Sequence, residues 1–111
     1  MQEEMMENLA GVWYLATTEG DQPHVRPVDN VATLDGKIYF GTTKNKKMFQ
    51  QMVENPKIEG FVMTDFGPYR FMAEAYPTKM EEITKEAFSK MGKPYEEGKS
   101  VAVELTKIVK N

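Results

Sequence analysis

No cysteine occurs among the 111 residues, which removes disulfides, zinc–thiolate sites and thiol nucleophiles together. Histidine occurs once, at His24, which leaves little for a metal site. No apolar run approaches the ~20 residues that span a bilayer. The acidic opening MQEEMMENLA lacks the basic start of a secretion signal, so the expectation is a cytoplasmic protein with no membrane partner. Neither GxGxxG nor GxxxxGK is present, which excludes the glycine-rich dinucleotide fingerprint and the phosphate loop. No carboxylate pair and no Ser/His/Asp set can be assembled into a catalytic constellation. Positive charge is also short: 14 Lys and Arg stand against 17 Asp and Glu, a net charge of −3 that argues against a nonspecific nucleic-acid binder.

What is present is ordinary enough to fold. Hydrophobic residues make up 41% and charged residues 28%, the balance of a globular chain, and 111 residues suit one domain spanning 1–111. Nine methionines point first to adaptable core filling and next to a dimer surface. Met5, Met6 and Leu9 have helical spacing within a short candidate helix, Gln2 to Leu9. Val12 to Thr18 is β-branched and aromatic, Gly20 to Pro23 is a turn signal, and Val25 to Leu34 resumes an extended pattern, so a hairpin is expected. Asp35-Gly36 is the pair favoured in tight hairpin turns and leads into Lys37 to Phe40. Further strands are expected at Ile58 to Asp65, Tyr69 to Tyr76 and Ser100 to Val109. A helix is expected over Glu81 to Met91, where Ile83, Ala87, Phe88 and Met91 share a face. About six strands and three helices with tight turns favour a small barrel, mainly β, over a doubly wound sheet.

Gly41 to Pro56, GTTKNKKMFQQMVENP, carries the strongest functional signal. A strand runs into two threonines, three lysines within four positions, and a helix with Met48, Phe49, Met52 and Val53 as apolar residues, closed by Asn55-Pro56. A helix entered this way directs unpaired N–H groups and its positive dipole end outward, and hydroxyl and ammonium groups add donors for a phosphate. Lys46 and Lys47 in the first helical turn oppose the dipole unless an anion is nearby.

The linked segments YLATTEGDQPHVRPV, DGKIYFGTT and KKMFQQMVENPKIEGFV resemble the pyridoxamine 5′-phosphate oxidase-like FMN-binding split-barrel family, over roughly Leu9 to Tyr76. The resemblance implies a six-stranded split barrel that forms a homodimer, with FMN in clefts at the subunit interface. It implies that Arg26, Thr42 or Thr43, and Lys46 or Lys47 hold the FMN phosphate, and that backbone around Pro27, Val28 and Asp29 lies along the isoalloxazine ring. A flavin phosphate needs several charge-assisted donors from fixed positions, and Arg26 suits that role by gripping two oxygens. The family's oxidase members carry a C-terminal extension with Trp and Arg over the product; the sequence ends at Asn111 without it, so pyridoxamine phosphate oxidation itself is not expected. The family's Trp-x-Arg pattern stands here as Pro68-Tyr69-Arg70, making Tyr69 the candidate to stack on a partner's flavin.

Plainer readings stand beside these. The basic turn is also what a solvated loop looks like, Arg26 also suits an exposed strand residue in an ion pair, and Trp13 suits a core as well as a flavin stack. His24 suits a solvent-facing structural role. Asp29 and Asn30 interrupt an apolar strand, as either a cleft-facing pair or an exposed edge. The functional expectation is an FMN-dependent oxidoreductase acting on a small organic molecule. The alternatives are a flavin-binding or electron-transfer module without a dedicated substrate, or a split barrel holding a deazaflavin or haem.

Overall fold

Two residues, Asp29 and Asn30, determine the shape of this molecule. The computed structural model describes residues 11–111, and the candidate helix Gln2 to Leu9 lies outside them. Seven strands form one antiparallel sheet: β1 (Trp13–Glu19), β2 (Gln22–Val28), β3 (Val31–Leu34), β4 (Lys37–Thr43), β5 (Lys57–Thr64), β6 (Gly67–Pro77) and β7 (Ser100–Lys110). Helix α1 (Lys47–Glu54) follows β4 and α2 (Glu81–Met91) follows β6. The order across the sheet is β2-β1-β5-β6-β7-β4-β3, so β2 and β3 are its two edges although only Asp29 and Asn30 separate them in the chain. Three Cα steps reach about 11 Å at most. The edges of a flat seven-stranded sheet would stand about 29 Å apart. The sheet therefore curls until its edges meet, which makes it a barrel split between β2 and β3.

The expected six strands become seven for the same reason. The segment Val25 to Leu34 reads as one extended run, but its first half pairs with β1 (Leu15↔Arg26) and its second half with β4 (Val31↔Phe40). Asn30 secures the junction, accepting from the Gly41 N–H at 3.0 Å and donating its side-chain amide to the Gly41 carbonyl. Other expected elements lie within a few residues of their observed bounds, because their turns are local chemistry. Asp35 and Gly36 take φ of 51° and 76° in the β3–β4 hairpin. The β1–β2 turn is made by Gly20 and Asp21 alone, with Pro23 already in an edge strand, where a missing N–H is tolerated.

Alternation sends Trp13 and Leu15, Ile38 and Phe40, Ile58 and Val62, Phe71, Val103 and Leu105 into the barrel, each at most 5% exposed. Full burial of such side chains is worth about 1.5–3 kcal/mol each. Helix α1 closes this core with Met48 and Met52. On the outside of β3, β4 and β7, helix α2 packs Ala87 against Leu34, Tyr39 and Ala102. Both faces of β4 are thus covered, so Ile38 through Thr42 are buried without alternation. Trp13 meets Phe71 edge-on at 5.8 Å within the core. Tyr69, the candidate to stack on a partner's flavin, is 2% exposed in the same core.

Candidate functional site

The barrel split opens a cleft of about 340 Å³ between the β2–β3 crossover and the start of α1. Arg26, Pro27, Val28, Asp29, Lys46 and Lys47 all line it, together with Asn30, Gly41, Met48 and Lys93. Six of the eight residues expected to line an FMN site, three at its phosphate end and three along its ring, thus converge on one cleft. Four cations face one carboxylate, Asp29, which pairs with Lys93 at 3.6 Å. Arg26, Lys46 and Lys47 form no ion pair with any described residue, so three positive charges concentrate in one cleft of a net-negative chain.

Each cation is placed by local structure. Arg26 lies on β2 opposite Leu15, with its side chain on the inward face of the strand pair. Its Nη1 donates to Thr17 Oγ1 at 2.8 Å and its Nη2 to Gln51 Oε1 at 3.2 Å. Burial lowers its pKa from the usual arginine value, and arginine stays protonated regardless. Lys46 is the extended N-cap of α1 and Lys47 its first residue. No side chain caps this helix and its first turn holds no acidic residue, so the positive end of its dipole, at Lys46, Lys47 and Met48, meets the cleft without a compensating negative charge of its own.

The two threonines diverge. Thr42 shares the inward face of β4 with Ile38 and Phe40, is 3% exposed, and its Oγ1 has no hydrogen-bond partner among the described residues. Thr43 points the other way and donates to Asn45 Oδ1 at 2.6 Å, which shapes the turn into α1. Neither lines the cleft. His24 sits on β2 and faces Glu19 at 3.5 Å across the first hairpin, away from the cleft lining.

Thr17 and Gln51 escaped the sequence reading. Gln51 sits three residues from Met48 on the buried stripe of α1, and Thr17 shares inward parity with Trp13 and Leu15. A polar residue on an apolar stripe was the available signal at both positions. A larger groove, about 490 Å³, lies along Thr18, Glu59, Met72 and Glu74, but there Glu74 is neutralised by Lys107 at 3.4 Å. Uncompensated charge distinguishes the smaller cleft. Among the described residues no His, Asp and Glu cluster could hold a metal, and no helix is long and apolar enough to cross a membrane.

Comparison with solved structures gives the same fold. A NimC/NimA family protein from Clostridium acetobutylicum is 34% identical with a TM-score of 0.86, over 96% of this chain and 83% of that one. A pyridoxamine 5′-phosphate oxidase-like protein from Listeria innocua is 16% identical with a TM-score of 0.77, over 98% and 96% of the two chains. An F420 reductase is 16% identical with a TM-score of 0.59, over 96% and 94%. No protein-family model matches the chain, and no curated protein matches it by sequence.

Proposed function

Since this chain belongs to the NimC/NimA family of pyridoxamine 5′-phosphate oxidase-like split-barrel proteins, we propose that it is a homodimeric flavoprotein that binds FMN and acts as an oxidoreductase on a small organic molecule. The observation that carries the reading is the cleft itself: three cations without anionic partners beside an uncapped helix N-terminus. A phosphate monoester is the ligand chemistry such a donor set matches, because its two charges answer both the side chains and the dipole.

In this reading Arg26 grips two phosphate oxygens, Lys46 and Lys47 add charge, and the first N–H groups of α1 complete the shell. Thr43 holds the turn that sets the two lysines, through its bond to Asn45. The crossover at Pro27, Val28 and Asp29 lines the same cleft, and its backbone would lie along the isoalloxazine ring. When bound, FMN supplies the electron transfer, so the protein needs no acid–base set of its own. Its part is to bind, orient and shield.

A second subunit is part of the proposal. Val12, Met63, Met72 and Val109 are each 45% exposed or more on the outer sheet, and Tyr14 stacks on Phe61 there at 4.8 Å. Scattered apolar residues are normal, but this many on one curved sheet face match a surface that a partner covers. A flavin-binding or electron-transfer module without a dedicated substrate is the second reading, favoured by the cleft's lone carboxylate, Asp29, being tied to Lys93. Saturable reduction of quinone or nitroaromatic acceptors by NADH or NADPH would select the enzyme. The proposal as a whole predicts a yellow protein, or one that turns yellow with added FMN, and a colourless Arg26→Ala, Lys46→Ala double variant. Wild-type protein that takes up no FMN contradicts it.

A further inference from the structure

Arg26 is oriented without being neutralised. Its two terminal nitrogens reach Thr17 Oγ1 and Gln51 Oε1, and the Thr17 hydroxyl donates to the same Gln51 oxygen at 2.5 Å. These three bonds close a ring across β1, β2 and α1. Thr17 and Gln51 are 2% and 4% exposed, so the ring is a built part of the interior rather than a surface accident. Both acceptors are uncharged. A carboxylate at residue 51 would hold the guanidinium more strongly, but it would also cancel the charge that a ligand needs.

The ring does a second thing. Gln51 belongs to the helix whose first turn carries Lys47 and whose cap is Lys46. Fixing Gln51 to Arg26 therefore sets the register between the guanidinium and the two ammonium groups, so the cations are held together before any anion arrives.

We propose that Thr17 and Gln51 are positioning residues forming a neutral clamp, which fixes the Arg26 guanidinium against α1 while leaving its full charge for the phosphate of the ligand. This rests on the phosphate-binding reading of the cleft and adds the requirement that the residue 51 acceptor be uncharged. The requirement separates holding Arg26 in place from leaving it available.

Gln51→Glu is the deciding variant, since it preserves length and hydrogen-bonding reach while adding one charge. Binding of FMN and of riboflavin, which lacks the phosphate, is followed by quenching of flavin fluorescence, and the flavin-free proteins are melted in parallel. Gln51→Glu should melt at or above the wild-type temperature yet bind FMN about tenfold to a hundredfold more weakly, the range expected for losing a charge-assisted bond. Its riboflavin affinity should not change. Gln51→Met should reverse that order, melting lower than Gln51→Glu but binding FMN better, because Arg26 keeps its charge and loses only its restraint. Gln51→Glu binding FMN as tightly as wild type overturns the proposal. So does a Gln51→Glu that loses stability and both ligands in parallel, the pattern of a purely structural glutamine. Should Gln51→Glu fail to fold, the salt dependence of FMN binding to Gln51→Met decides: an unchanged slope supports the clamp, and a reduced slope overturns it. Wild-type protein with no preference for FMN over riboflavin would instead refute the phosphate reading itself, and is recognised without any variant.

Discussion

Thr42→Val should stabilise the protein, and the same substitution at Thr17 should destabilise it. The two residues occupy equivalent settings: both face the barrel interior on central strands, at 3% and 2% exposure. Valine keeps the branch at Cβ, so strand preference and shape largely cancel in the comparison. The difference is the hydroxyl's partner. Thr42 Oγ1 has none among the described residues, and a buried hydroxyl left unpaired costs about 1–3 kcal/mol. Removing it should return about 1 kcal/mol, or roughly 5 °C in melting temperature for a domain of this size. Thr17 Oγ1 both accepts from Arg26 and donates to Gln51. Valine there strands a guanidinium N–H and weakens the clamp, for a loss of about 1–3 kcal/mol. Circular-dichroism melts of the flavin-free proteins at one fixed concentration measure both, the fixed concentration being needed if subunits associate. A Thr42→Val protein that melts below wild type, or a Thr17→Val protein that melts at or above it, refutes the reasoning.

Gly60 lies where β5 passes β1, and an added methyl would sit 2.6 Å from the Tyr14 carbonyl oxygen, 2.7 Å from Leu15 Cδ2 and 2.9 Å from Phe71 Cζ. The carbonyl belongs to a paired strand and cannot retreat, so Gly60→Ala should cost about 1–3 kcal/mol, and an unchanged denaturant midpoint would count against it. Tyr95 donates to the Glu81 carboxylate, and that hydrogen bond, ahead of desolvation and the charges of Glu81 and Glu97, pushes its phenol up to about 12. Because folding raises this pKa, the contact's stabilisation is complete below pH 10 and is lost as pH climbs towards 12. Glu81→Gln should bring this tyrosine's phenolate absorbance down in pH; an unmoved titration speaks against the contact. Sedimentation should give twice the 12.7 kDa chain mass, and a monomer at micromolar concentration would contradict the proposed dimer.

Particular residues show which parts of this fold are legible in sequence. Asp35-Gly36, the helix Glu81–Met91 and the helix stop at Asn55-Pro56 were readable because turn chemistry and amphipathic spacing act over a few residues. The break at Asp29-Asn30 was visible as a lapse in apolar pattern. Its meaning was not, since the halves on either side pair with strands at opposite edges of the sheet. The cleft's Lys46 and Lys47 were legible through charge against an acidic background, and Arg26 through family likeness. Thr17 and Gln51 each show locally as a polar residue on an apolar stripe, but nothing local pairs them across 34 residues of sequence. Thr42 and Thr43 read alike as phosphate donors, yet strand parity sends one hydroxyl into the barrel and the other into the turn.

We propose above all that the barrel split holds the phosphate end of FMN. The most direct measurement is the ratio of FMN to riboflavin affinity in wild-type protein and in the Arg26→Ala, Lys46→Ala double variant, with melting curves confirming that both are folded. Wild type should prefer FMN by about a hundredfold or more, the worth of two charge-assisted contacts at about 1.5 kcal/mol each, and the preference should nearly vanish in the variant. Equal affinity for the two flavins in wild type, or a preference that survives loss of both cations, would contradict it.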